Sequence, residues 1–227
     1  VLIAVIIVIA AVTASLLWFF LGLPSETPKG TQGNRTGEIE IGELLFSDDF
    51  SDNRNDWFVD PKGQYAYLEN GAFHLAGASI NEFGITYTAR AYNFSDFAYQ
   101  AEVTKISGPD DEGYGLMFGC TVSGCLCFSV RSDGYFSLDR YSFADSTWES
   151  KLTWTPSNAI NRGNSTNTLT ALCRDSKVQL RVNGQLLTTV VMDSKIQGDI
   201  ALYVDSSELH IDFQRVEVYS TMEMGEL

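Results

Sequence analysis

Val178-Gln-Leu-Arg-Val-Asn-Gly-Gln-Leu-Leu187 reads as one β-hairpin. Val178, Leu180 and Val182 recur with period two, which turns all three to the same face of a strand. Asn183-Gly184 then supplies two residues that tolerate positive φ, as a tight hairpin turn requires. The same grammar extends in both directions. Asn70-Gly71 and Ser132-Asp133-Gly134 mark further turns. Alternating segments are predicted as strands at 65–68, 72–76, 84–89, 97–106, 114–120, 125–131, 135–141, 168–174, 178–182, 185–191, 199–204 and 209–219. Turn signals about every eight to twelve positions between short alternating strands are the pattern of an all-β sandwich. No amphipathic helix of useful length follows residue 23, and no repeat suggests a propeller.

Four segments are expected. Residues 1–23 (VLIAVIIVIAAVTASLLWFFLGL) carry no charge. They match the roughly 20 apolar residues that cross a bilayer core. Trp18, Phe19 and Phe20 sit at one end as interface aromatics do, and Pro24 closes the segment. Apolar starts of this kind also build the cores of pilus-like filaments, although bacterial pilins carry Glu where this chain has Val5. Residues 24–42 are rich in Pro, Gly, Ser and Thr and read as a linker. Residues 43–220 form the sandwich, and 221–227 a tail. The resulting expectation is a single-pass membrane protein with its C-terminal domain outside the cytoplasm. Cysteine content and fold support that orientation, since flanking charge does not decide it.

Fifteen basic against 29 acidic residues leave a formal charge of −14. This excludes nucleic acid as a partner, because phosphate binding needs clustered Lys and Arg. Cys120, Cys125 and Cys127 form C-x-x-x-x-C-x-C, with Cys173 distant. That spacing lacks the paired motifs and nearby histidines of a zinc site and suits disulfides instead. Cys120 and Cys125 flank a short loop and are placed to face each other, but four cysteines allow three pairings and the sequence does not choose.

The order of several short motifs resembles concanavalin A-like and laminin-G-like jelly rolls of bacterial surface proteins. The family includes a domain related to 3-keto-disaccharide hydrolases. The motifs are Leu45-Phe-Ser-Asp-Asp-Phe50 with Trp57, Glu69-Asn-Gly-Ala-Phe-His-Leu75, and Phe94-Ser-Asp-Phe97. They continue with Gly113-Tyr-Gly-Leu-Met-Phe118, Phe128-Ser-Val-Arg-Ser-Asp-Gly-Tyr-Phe136, Val182-Asn-Gly-Gln-Leu186, Gly198-Asp-Ile-Ala-Leu202 and Ile211-Asp-Phe213. The resemblance implies an antiparallel two-sheet sandwich over residues 44–219 whose members mostly bind glycans or proteins. Fold alone does not fix function.

Candidate chemistry follows from side-chain type. Trp148, read as lying in a loop-rich segment, is the best platform for stacking on a sugar, with Tyr135 and Tyr141 beside it and Arg131 and Arg140 as polar groups. Trp57 and Trp154 are expected to cap the core. Asp110, Asp111 and Glu112 in one loop offer hard oxygen ligands for Ca²⁺, the one cofactor considered, although calcium needs six to eight oxygens. Glu38-Ile-Glu-Ile-Gly-Glu43 looks like the E-x-D-x-x-E strand of glucanases with this fold, but Glu40 replaces the Asp. Its place in the linker argues against catalysis. His74 and His210 read as surface strand residues. The expected role is non-catalytic recognition of a polysaccharide or surface protein. The alternatives are a structural subunit of an extracellular filament or homo-oligomer, and a glycoside hydrolase.

Overall fold

The computed structural model describes residues 39–76, 84–87 and 91–223, with only the backbone described for 84–87 and 223. In chain order the strands are β1 (Ile39–Asp48), β2 (Ala66–Glu69), β3 (Ala72–Ala76), β4 (Gly84–Tyr87), β5 (Phe94–Ser95), β6 (Phe97–Ser107), β7 (Gly113–Thr121) and β8 (Gly124–Arg131). They continue as β9 (Tyr135–Ser142), β10 (Thr147–Pro156), β11 (Thr166–Arg174), β12 (Lys177–Val182), β13 (Gln185–Val191), β14 (Gln197–Val204) and β15 (His210–Glu223). All pairings are antiparallel.

Two sheets result. The first runs β13-β12-β11-β6-β15-β3-β2, with β1 also paired to β15; the second runs β10-β9-β8-β7-β14-β4, with β5 also paired to β14. Alternation places the core between them. Tyr99, Val103, Leu169, Leu180, Phe213 and Val216 from the first sheet meet Leu116, Phe118, Phe128, Leu138, Leu202 and Val204 from the second. The hairpin read from sequence is present as β12–β13, and Asn183 and Gly184 both take positive φ. Asn70 and Gly71 do the same between β2 and β3.

Two boundaries differ from expectation. β1 begins at Ile39, so Ile39 to Gly42 is strand rather than linker, paired to the end of β15. β15 likewise reaches Glu223, into the expected tail. Both ends pair because the edge of β15 beyond β3 is otherwise free to accept a strand, and Ile39 is buried there. The span expected over 1–23 and the linker up to residue 38 lie outside the described residues. Among the described residues no helix is long and apolar enough to cross a membrane.

The LFSDDF stretch and Trp57 are held together by one carboxylate. Asp48 Oδ2 accepts from Trp57 Nε1 at 2.8 Å and Asn55 Nδ2 at 2.7 Å, while Oδ1 accepts from the Phe50 amide at 2.8 Å. Phe50, Trp57 and Phe73 then pack ring against ring, with centroids 5.6–6.1 Å apart. Trp57 caps the core as expected.

Cys120 and Cys125 form a disulfide across the β7–β8 hairpin, and Cys127 and Cys173 are buried free thiols. Burial pushes both thiols well up.

Asp48→Ala leaves three donors without their acceptor, two of them buried with it. The expected loss is about 2–3 kcal/mol, the usual cost of orphaning buried donors. A lowered urea midpoint, followed by tryptophan fluorescence, checks it.

Candidate functional site

Strand alternation gives the second sheet an outer face as well as a core face. Gly113, Gly115 and Met117 on β7 point outward, as do Cys127, Ser129 and Arg131 on β8. Tyr135, Ser137, Asp139 and Tyr141 follow on β9, with Ala201 and Tyr203 on β14 and Asp205 just beyond it. Flat strands about 4.8 Å apart would hold β10 and β14, four spacings away, about 19 Å apart. Yet the rings of Trp148 on β10 and Tyr203 on β14 have centroids 6.0 Å apart. The sheet therefore curls toward its outer face. Two register shifts in β10, between Ser150 and Leu152 and between Leu152 and Thr155, bend the edge strand over it.

Two glycines on β7 leave room for close neighbours on this face. A Cβ on Gly113 would stand 3.2 Å from the Trp154 indole and 3.5 Å from Asp205 Oδ2. A Cβ on Gly115 would stand 2.2 Å from the Phe128 carbonyl oxygen.

One end of the face is polar. The Arg131 guanidinium lies 5.1 Å from the Trp154 ring and 5.5 Å from the Tyr135 ring, close enough for cation–π attraction. It donates from Nη2 to Asp133 Oδ2 at 2.6 Å. Arg131 Nε and Asp133 Oδ1 are buried without a hydrogen-bond partner. Burial raises the Glu112 carboxyl, helped by the negative charges of Asp205 and Asp111 and opposed by Arg131.

Deeper in the face, burial raises Asp139, against hydrogen bonds from Ser137 and Ser150, and Asp205's charge adds to the rise. Asp205 is raised by burial and steadied by the Tyr203 hydroxyl. Tyr203 is itself pushed strongly up, by burial first and then by the nearby Cys127 and Asp205.

The other end is apolar. A groove of about 780 Å³ is lined by Met117, Ala201, Phe143, Val122 and the Cys120–Cys125 pair, with Asn93 and Asp199 at its side. Asp199 Oδ1 shapes that side by accepting from the backbone amides of Tyr92 and Asn93 at 2.7 and 2.8 Å. An aromatic run leads inward from it. Phe143 meets Tyr141 at 5.4 Å, Tyr141 meets Trp148 at 4.7 Å, and Trp148 meets Tyr203.

The structure thus brings Trp148, Tyr135, Tyr141 and Arg131 to one face. Trp148 is on strand β10 rather than in a loop. Arg140 is not with them. It points the other way along β9 and lines a separate pocket of about 240 Å³ with Lys195. Trp154, expected in the core, is instead on this outer face and 37% exposed. Asp110 is bonded to the ammonium of Lys105, which is buried and needs that charge. Asp111 is exposed, and Glu112 faces Asp205 and Arg131. Among the described residues, the convergent group of metal-ligating side chains contains none of these three. Glu40 and Glu43 are exposed on β1 in the first sheet, away from this face, and Glu38 lies outside the described residues. Tyr203 and Asp205 were missed, although Asp199-Ile-Ala-Leu-Tyr-Val-Asp205 alternates and puts Ala201, Tyr203 and Asp205 on one side.

No protein-family model and no curated protein sequence matches the chain. Solved structures do. A carbohydrate-binding module from Bacillus subtilis aligns with TM-score 0.54 and 12% identity, covering 80% of this chain and 98% of that one. A Bacillus subtilis protein of unknown function with a galectin-like fold gives 0.61 and 10%, covering 82% and 99%. A Bacillus licheniformis β-glucanase gives 0.57 and 12%, covering 80% and 99%. At these identities the likeness is one of fold, and the fold is the concanavalin A-like jelly roll.

Proposed function

We propose that this chain is a membrane-anchored recognition module, held outside the cytoplasm by its apolar segment 1–23, whose jelly roll binds polysaccharide on the curled outer face of the second sheet without cleaving it. The observation that carries this reading is the aromatic run Phe143–Tyr141–Trp148–Tyr203, which enters a groove and ends among polar groups. Aromatic faces stack on the apolar faces of pyranose rings, and a few fixed polar groups set orientation. Trp148 and Phe143 are 41% and 45% exposed, so part of each ring is available to a ligand. Arg131, fixed by Asp133 and between two rings, keeps a buried Nε–H that the protein leaves unpaired. Proteins of similar fold include a carbohydrate-binding module and a β-glucanase, which supports a carbohydrate as the ligand class.

One observation favours a second reading. Asp139 and Asp205 share the face, and both carboxyls are raised, as a glycosidase acid must be. Against it, Asp139 accepts from the Ser137 hydroxyl at 2.8 Å and Asp205 from Tyr203, so both are engaged within the protein. No outward position on β7 or β8, the middle of the face, carries a carboxylate. The filament reading draws on residues 1–23 alone.

Calorimetry of the chain against a panel of β-glucans, fructans and other polysaccharides tests the proposal. Saturable binding to one of them is expected, with no release of reducing ends. Trp148→Ala is expected to weaken it about tenfold, the loss of one good aromatic contact. Arg140→Ala, on the other side of the sheet, is expected to leave it unchanged. Failure of every glycan to bind rejects the proposal, and steady release of reducing ends favours the hydrolase.

The raised carboxyls also give a pH dependence. A carboxyl whose folded pKa exceeds its unfolded value holds its proton more tightly when folded. Its contribution to stability is therefore greatest at acid pH and is lost as pH rises through the folded pKa. Asp205→Asn removes that loss while keeping an acceptor for Tyr203. The variant is expected to have a higher urea midpoint than wild type at neutral pH, and the difference is expected to shrink as pH falls toward 3.8, the ordinary value for the free side chain.

A further inference from the structure

On the opposite sheet, three side chains converge that the glycan-binding face does not use. His74 on β3 sits opposite Asp212 on β15, and His210 lies two residues before Asp212. Their neighbours Phe73, Leu75, Ile211 and Phe213 fill the core, so the three point to the outer face of the first sheet. His74 and His210 are not ordinary surface residues. Their side chains are 11% and 27% exposed, and that of Asp212 is 15% exposed.

The geometry points to a divalent transition-metal site, with zinc as the fitting ion, formed by His74 Nδ1, His210 Nε2 and Asp212 Oδ1. Ligands about 2.0–2.2 Å from a tetrahedral zinc lie about 3.3 Å from one another. His74 Nδ1 and His210 Nε2 are 3.3 Å apart, and His210 Nε2 and Asp212 Oδ1 are 3.2 Å apart. The third edge, His74 Nδ1 to Asp212 Oδ1, is 2.6 Å. Close as it is, that contact has no hydrogen-bond alignment, and Asp212 Oδ1 is buried without an aligned donor. His74 Nδ1 and His210 Nε2 are within hydrogen-bond distance of each other; with the His210 proton on its own Nδ1, all three atoms would offer a lone pair to one point, where a shared cation can take them together.

The surrounding groups prepare His74 for this role. Its Nε2 lies 3.1 Å from the Glu69 carbonyl oxygen. A carbonyl only accepts, so Nε2 carries the proton and Nδ1 of the neutral ring is left as the donor to a metal. Tyr67 stacks on the ring with centroids 4.6 Å apart and planes 10° apart, which fixes its orientation. Two imidazoles and one carboxylate suit zinc, cobalt, nickel or copper, whereas calcium prefers an all-oxygen shell. Three protein ligands leave a fourth position on the solvent side, where His210 is the most exposed of the three.

The test uses the full chain in detergent, stripped with EDTA and titrated with zinc alone against a chromophoric chelator. One equivalent is expected to bind and to raise the melting temperature, and cobalt is expected to give the intense visible band of a tetrahedral N/O site. His210→Gln and Asp212→Asn are each expected to weaken zinc binding by at least about 100-fold. Their melting temperatures in EDTA show that they fold. The cobalt band of the wild type does not depend on either variant folding. No stoichiometric zinc, binding unchanged in both folded variants, or the weak band of a six-coordinate oxygen site with cobalt overturns the site. The last two results would place the metal on the acidic surface.

Discussion

Trp154 packs over Gly113, and the polar end of the second sheet's outer face is arranged around that contact. A Cβ at position 113 would stand 3.2 Å from the indole, so the ring would have to give by a few tenths of an ångström. The edge strand β10 folds inward across three neighbours. The guanidinium of Arg131 is then held between Trp154 and Tyr135, and Trp148 reaches the ring of Tyr203. A sheet that would otherwise present a flat, half-polar surface becomes one with a covered middle and two open ends. Gly115 beside it lets β7 and β8 approach closely, because the Phe128 backbone occupies the space a Cβ would need.

Covering the middle has an electrostatic cost. Asp139, Asp205 and Glu112 lose hydration in a protein whose formal charge is already −14, and all three are raised. Hydroxyls of Ser137 and Tyr203 offset part of this, and the fixed charge of Arg131 offsets part for Glu112. The first sheet solves a similar problem differently. Lys105 extends into the end of the core and is matched by the carboxylate of Asp110.

Most of the architecture was legible because it rests on local rules. Period-two alternation marked β6, β8, β9, β12 and β14, and Asn-Gly marked two turns with positive φ. β10 was not legible. Its residues Thr147 to Pro156 are exposed or half-buried throughout, since an edge strand with two register shifts shows no steady inside and outside. β1 hid for the same reason, burying little between Ile39 and Phe46. Within the site, Trp148, Tyr135, Tyr141 and Arg131 were found by residue type and share a face. Arg140 failed on a rule the sequence does contain, because neighbours on a strand point to opposite sides and Tyr141 had already taken this one. The approach of His74 to His210, 136 residues apart in sequence, depends on β3 pairing with β15, which no local pattern reveals.

The Cys120–Cys125 bond closes a loop of only a few residues, and a cross-link that short removes little freedom from the unfolded chain, about 2 kcal/mol in a chain-entropy account. The sandwich, with its two-sheet core, does not hang on it. The bond instead stiffens the rim of the apolar groove, where Val122 stands 97% exposed at the hairpin tip. Reduction would therefore act on the shape of the groove far more than on whether the chain folds. The oxidation state of the surroundings would be felt as a change in grip, while the body of the domain stays as it is.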